Sequence, residues 1–233
     1  MKKKAIMLLL LVVVGSSAAV TVITTPAELQ AMGNDLAGNY ILGNDIDMTG
    51  FPWKAISYRA EGVNKSFTGP FDGDFHVING FTGIDDDWQT GPYKTASLFG
   101  ILGEGGVVKN VGMTNVNCTA GDYVAALVGD LFNGTVSKCY VESGTVTMVG
   151  GNNGGTLIGM MRGTSIVKDC YSTANLVQNG GNSAGGFING AWSVGNVSNC
   201  YFAGTVTFVN GNTQIGGFIN ANGGGDGNQF LLL

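Results

Sequence analysis

The sequence predicts an all-β chain wound as a parallel β-helix (β-solenoid) of roughly 30-residue repeats, closed at its N-terminal end by a short capping helix. Three observations carry this prediction. Of 233 residues, 40 are Gly, 44% are hydrophobic and only 12% are charged. Val, Ile, Thr, Asn and Gly in bulk are the vocabulary of strands joined by tight turns, whereas helices need Ala, Leu, Glu and Lys. A Cys-Tyr pair recurs at Cys139-Tyr140, Cys170-Tyr171 and Cys200-Tyr201, at spacings of 31 and 30. A short apolar motif recurs as LFG at Leu98, LVG at Leu127, LIG at Leu157 and FIN at Phe187 and Phe218, spaced 29, 30, 30 and 31 residues apart. One coil cannot bury its own apolar edge, and a copy of itself is the surface that fits it.

The chain opens MKKKAIMLLLLVVVGSSAA, a basic start followed by an apolar run and small residues. This reads as a secretory signal peptide over residues 1–19, and the apolar run is too short to span a bilayer. The expected location is secreted or cell surface, with no transmembrane span in the mature chain. Removing Lys2, Lys3 and Lys4 from the 11 basic residues leaves 8 against 16 acidic ones, a net charge of −8. Nucleic acid is excluded as a partner, because it needs a basic surface.

Residues 20–97 read as the N-terminal cap and first coils. Thr25-Pro26-Ala27-Glu28 has the form of a capping box with Pro at the first helical position, which predicts a helix over Pro26 to Met32. NYILGNDIDM then alternates as a strand, with Ile41 and Ile46 expected inward. The stretch from Phe51 to Gln89 is less regular, with loops around Arg59 to Gly62 and Asp85 to Asp87.

Residues 98–233 read as the repeats. Each runs through the apolar motif, a Gly-rich turn, Val-x-x-Cys-Tyr, a turn, and a second short strand centred on Val146, Leu176 or Val206; three short strands per repeat are expected. Ser137-Lys138, Lys168-Asp169 and Ser198-Asn199 change charge from copy to copy, so both positions are assigned to a solvated corner. Val136, Val167 and Val197 point inward, as do the cysteines. Alternation then sends Tyr140, Tyr171 and Tyr201 outward and returns Val141, Ser172 and Phe202 to the interior.

The run AELQAMGNDLAGNYILGNDIDMTGFPWKAI, then FTGPFDGDFHVINGF, then SLFGILGEGGVVKNVGMTNVNC and the LVG and NCY repeats resembles bacterial surface proteins carrying GLUG motifs, from roughly Val22 to Ala221. The resemblance implies a right-handed parallel β-helix of extracellular surface proteins, sometimes the accessory region of larger adhesins or of immunoglobulin-cleaving peptidases. It implies no catalytic centre in the repeats. Two departures stand out: FIN replaces LVG in the last two copies, and the chain stops soon after Phe218-Ile219-Asn220. The ending GNQFLLL suggests a truncated product or an unusual apolar cap.

Candidate chemistry is sparse. His76, the sole histidine, matches a histidine of the family's FDGxxH run and lacks zinc-type neighbours, so its expected role is structural. Asp45/Asp47 and Asp72/Asp74 could hold calcium, yet neither sits in a complete calcium loop, and solvated turns are the expected reading. No metal or cofactor is expected. AWSVG at Ala191 lacks the first Gly and the context of a nucleophile elbow. A Thr ladder is broken by Asn175 between Thr145 and Thr205. With Arg59 and Arg162 far apart in sequence, no catalysis is expected; the alternative is a carbohydrate-active enzyme, a polysaccharide lyase or hydrolase working through Asp72 and Asp74, or its accessory domain. In-register cysteines about 4.8 Å apart exceed disulfide reach, which favours a buried column of free thiols, with Cys118 outside that register. The remaining feature is the outward ladder Tyr140, Tyr171 and Tyr201, read either as a flat aromatic strip on which sugar rings pack or, more plainly, as rings that shield the corner and stack on each other. The expected function is a structural or adhesion module whose partner is an extracellular glycan or a host or cell-surface protein.

Overall fold

The computed structural model describes residues 19–60, 63–84, 95–192, 195–210 and 214–220. The predicted leader up to residue 18, Asp85 to Asp87 and the terminal GNQFLLL lie outside the described residues. The chain winds through five parallel sheets in fixed order, once per coil, and about five coils stack. The first sheet gathers Val20–Ile23, Asn39–Leu42, Pro70–Asp72, Val107–Lys109, Thr135–Ser137, Ile166–Lys168 and Asn196–Ser198. The second gathers Ile46–Asp47, Val77–Asn79, Gly112–Thr114, Tyr140–Val141, Tyr171–Ser172 and Tyr201–Phe202. The third runs from Thr82–Ile84 to Val206–Asn210, the fourth from Thr95–Ala96 to Gln214–Gly216, and the fifth from Phe99–Leu102 to Ile219–Asn220.

Five strands per coil replace the three expected, because Gly-rich segments that look like turns carry strands of their own, such as Asn153–Gly155 and Ser183–Gly185. Here the glycine answers a close approach rather than a turn. A Cβ on Gly155 would meet the Ile158 carbonyl oxygen at 2.2 Å, and one on Gly185 the Ile188 oxygen at 2.0 Å. The corner into the fifth sheet is too tight for a side chain.

The interior is built from columns. Phe71, Val108, Val136, Val167 and Val197 are register partners, and all but the last are fully buried. Of the two corner positions after each Val, only the second turns. Ser137 ends its strand and is buried, while Asn110, Lys138, Asp169 and Asn199 take positive φ of 52–56°, a left-handed bend that Asn and Asp tolerate best. The apolar motif supplies buried plugs at Leu98, Leu127, Leu157 and Phe187 between the fourth and fifth sheets. In the FIN copies, Asn189 and Asn220 are buried too, and the Asn220 amide donates to Asn189 Oδ1 at 2.9 Å. The departure from LVG thus becomes a polar ladder whose members satisfy one another.

The cap forms as the sequence predicts. Thr25 Oγ1 accepts from the Glu28 amide at 3.2 Å, and Glu28 Oε2 accepts from the Thr25 amide at 3.0 Å. The helix spans Pro26–Ala31, followed by a 3₁₀ turn over Met32–Asn34, and Leu29 and Met32 close the first coil. Ile41 corrects the expected orientation: Tyr40 and Leu42 are buried and Ile41 faces outward, while Ile46 points inward as expected. Tyr40 is the inward residue because its hydroxyl finds the Asp35 carbonyl oxygen at 2.8 Å.

Candidate functional site

The second sheet turns its outer face to solvent, and each coil from Tyr140 onward contributes a tyrosine there, since Tyr140, Tyr171 and Tyr201 are mutual register partners. Their ring centroids are 5.0 Å apart in both steps, with interplanar angles of 4° and 1°. At that spacing coplanar rings would overlap within van der Waals contact, so the rings stack face against face. Of the two arrangements read from the sequence, the structure adopts the mutual stack and not the flat strip. The ladder presents a rail of ring edges and phenol hydroxyls, and Tyr201 is 53% exposed. At the other end Tyr140 lies over Gly112, where a Cβ would stand 2.1 Å from the ring's Cζ.

The rail is anionic at its capped end. Burial, then Glu142 and Asp45, raise the Tyr140 phenol above its ordinary range; burial, Glu142 and the flanking phenols do the same for Tyr171. Both hydroxyls therefore stay protonated and available as donors.

The carboxylates singled out in the sequence are occupied by the fold. Asp45 Oδ1 accepts from the Val77 amide at 2.9 Å and lies 3.1 Å from His76 Nδ1, and these contacts lower its pKa. Thr49 does the same for Asp47, its hydroxyl at 2.7 Å and its amide at 3.1 Å from Oδ1. Burial alone would raise Asp72, but the Asp74 amide, Lys109 and Asn110, all at 2.9 Å, bring it below the usual range. Asp72 and Asp74 thus form an Asx turn rather than a convergent pair. Among the described residues no group of three or more His, Cys, Asp or Glu side chains converges as a metal site would require.

Cys139, Cys170 and Cys200 form the inward column of the second corner, with the Cys139 amide 3.4 Å from Cys170 Sγ, and all four cysteines are free. Cys118 belongs to another column, between Gly83 and Val146 in the third sheet.

Sequence reasoning missed one polar constellation. Asp130, 3% exposed, receives Arg162 bidentately at 2.9 and 2.6 Å, and the guanidinium lies 4.8 Å from the Phe132 ring centroid. The signal was an opposite charge pair one repeat apart, hidden because Asp130 follows an apolar motif and reads as a turn residue.

No protein-family model matches the chain. Halomucin of Haloquadratum walsbyi is 34% identical over 159 residues, which covers 63% of this chain and 2% of that protein. The chain therefore spans a very small part of this curated relative. Among solved structures, a protein of Bacteroides ovatus described as a candidate immunoglobulin A1 protease shares the fold, with 17% identity, a TM-score of 0.51 and coverage of 86% of this chain and 84% of that one. At such identity the likeness speaks for the β-solenoid alone.

Proposed function

We propose that this chain is a secreted or cell-surface β-solenoid of the GLUG-motif kind, serving as a structural and adhesion module with no catalysis of its own. Its partner is an extracellular glycan or a host or cell-surface protein, met along the rail of Tyr140, Tyr171 and Tyr201. The single observation that carries this reading is the stacked rail itself. A column repeats one donor-bearing group at the coil spacing, and its ring edges and hydroxyls form one outward line against which a sugar chain can lie. The relative named as a mucin supports an extracellular setting. The engagement of Asp72 by Lys109 and Asn110 favours the module over the hydrolase alternative.

The test is the combined variant Tyr140→Ala, Tyr171→Ala and Tyr201→Ala. Two stacked ring pairs contribute about 2 kcal/mol in total, so the fold persists with a lowered thermal midpoint. Binding on a glycan array falls, and wild-type protein releases no reducing sugar or unsaturated product from the polysaccharide it binds. Unchanged glycan binding in the triple variant rejects the rail as the contact surface, and turnover of a bound polysaccharide rejects the non-enzymatic reading.

A further inference from the structure

The outer face of the third sheet is an array of two ranks. Alternation along each strand buries Gly83, Cys118, Val146 and Leu176 and turns the residue on either side outward. The first rank runs Thr82, Asn117, Thr145 and Asn175, continued by Thr205, whose amide donates to Asn175 Oδ1 at 3.0 Å. The second runs Ile84, Thr119, Thr147, Val177 and Thr207. Asn175 interrupts the threonines of the first rank, but the second rank exists only once the coils have stacked, and together they hold six threonines.

Three properties set this face apart. Among the described residues none of those six hydroxyls makes a hydrogen bond, whereas Thr49, Thr114, Thr156, Thr164 and Thr173 spend theirs inside the fold. The array contains no charged residue, on a chain with 11 basic and 16 acidic ones, and no aromatic ring. It is also flat. In the adjoining second sheet the tyrosine rings deviate by only 4° and 1° from one coil to the next, so successive coils are related by translation with almost no rotation. The register shift in the third sheet lies beyond both ranks, at Gln178/Asn179. The outward groups therefore repeat about 4.8 Å apart between coils and about 6.6 Å apart between ranks.

We propose that this face binds ice, its occupant being an ordered lattice of water. Oxygens on a prism face of ice repeat at intervals close to both spacings, so each coil meets the lattice in the same way. The threonine methyls order the water next to them, and the unspent hydroxyls anchor that water through hydrogen bonds. A face without charge holds no ionic hydration shell to compete with the lattice. A sugar polymer fits less well, because it packs on aromatic rings, which the array lacks, and a small molecule needs a concavity, which a flat sheet does not offer. The tyrosine rail lies on the second sheet, so the two surfaces fail separately.

The test grows ice in a solution of the full chain and reads crystal shape, the gap between melting and freezing points, and uptake of protein into the ice. Wild type facets the crystals, opens a gap that widens with concentration, and partitions into the ice. Thr145→Lys combined with Thr147→Lys sets two long charged side chains across both ranks of one coil and abolishes gap and uptake, while an unchanged circular dichroism spectrum shows the coil intact. Thr135→Lys, on the first sheet, leaves all three readings at the wild-type level. Val177→Thr completes the second rank from Thr119 to Thr207 and widens the gap, a gain that no loss of folding can imitate. The proposal is overturned by a wild type that neither opens a gap nor enters ice, by full activity in the double lysine variant, or by no gain in Val177→Thr. Retention on microcrystalline cellulose in place of ice overturns it too, as does a dimer lost in the double lysine variant without ice binding, which marks the face as a contact between copies.

Discussion

Val167→Asp puts the column model under direct load. Val167 is fully buried between Val136 and Val197, its register partners in the flanking coils. Removing the valine forfeits roughly 1.5 kcal/mol or more of apolar burial. Placing an unpaired carboxylate in its position costs several kcal/mol further, even after relaxation and water entry. The sum, about 5 kcal/mol or more, matches the whole stability of an ordinary domain. In a solenoid each coil leans only on its neighbours, so the loss is felt first by the coil of Val167 and the one beyond it. The native thiols report where the opening stops. In native buffer the variant takes up a thiol reagent at Cys170 and Cys200, while Cys118, buried two coils nearer the cap, stays protected. Val167→Ala, which loses about 1.5 kcal/mol of burial, lowers the thermal midpoint and leaves Cys170 protected. Labelling of Cys170 no faster in Val167→Asp than in wild type would show that the valine column does not face the interior. Simultaneous labelling of all four thiols would instead refute coil-by-coil opening.

Two further outcomes are expected. Burial pushes the Cys118 thiol from 9.0 up to about 12, and hydrogen bonding within the cysteine column, from Cys139 and Cys170 respectively, raises Cys170 and Cys200. The unfolded chain therefore releases protons first, so stability is complete below pH 9 and declines as pH climbs toward 12, by roughly 4 kcal/mol for Cys118 alone. Urea midpoints measured across that window should fall less in Cys118→Val than in wild type, and an identical slope rejects the assignment; denatured protein should also label at Cys139, Cys170 and Cys200 without reductant. Arg162→Met strips Asp130 of its bidentate partner and should cost about 2–3 kcal/mol, the buried-pair value discounted for the part of Arg162 that remains in water. Adding Asp130→Leu should restore most of that loss in thermal unfolding, and a double variant no more stable than the single one shows that the pair is not what holds this face.

The rail was legible in the sequence as an outward tyrosine on each coil, since one step past an inward cysteine fixes the side. Which of its two arrangements, flat strip or mutual stack, would form was not decided there. Whether rings lie flat or stack depends on a 5.0 Å centroid separation set by strand spacing and on Gly112 leaving room beneath Tyr140. The acidic pairs were visible as residues, and the turns that hold Asp47 on Thr49 and Asp72 on the Asp74 amide are local; the other partners, Val77 and His76 for Asp45 and Lys109 and Asn110 for Asp72, were not legible because they lie a full coil away in the chain.

What the sequence determined by itself was the repeat and everything that follows from a single coil: the period, the Val and Cys columns and the capping box. These depend on alternation within a strand and on local hydrogen bonds, which neighbouring residues decide. The tertiary structure alone decided the number of strands per coil, the side to which Ile41 points and the Arg162 to Asp130 pair. Each of these depends on the distance between groups far apart in sequence, and that distance exists only once the coils have stacked.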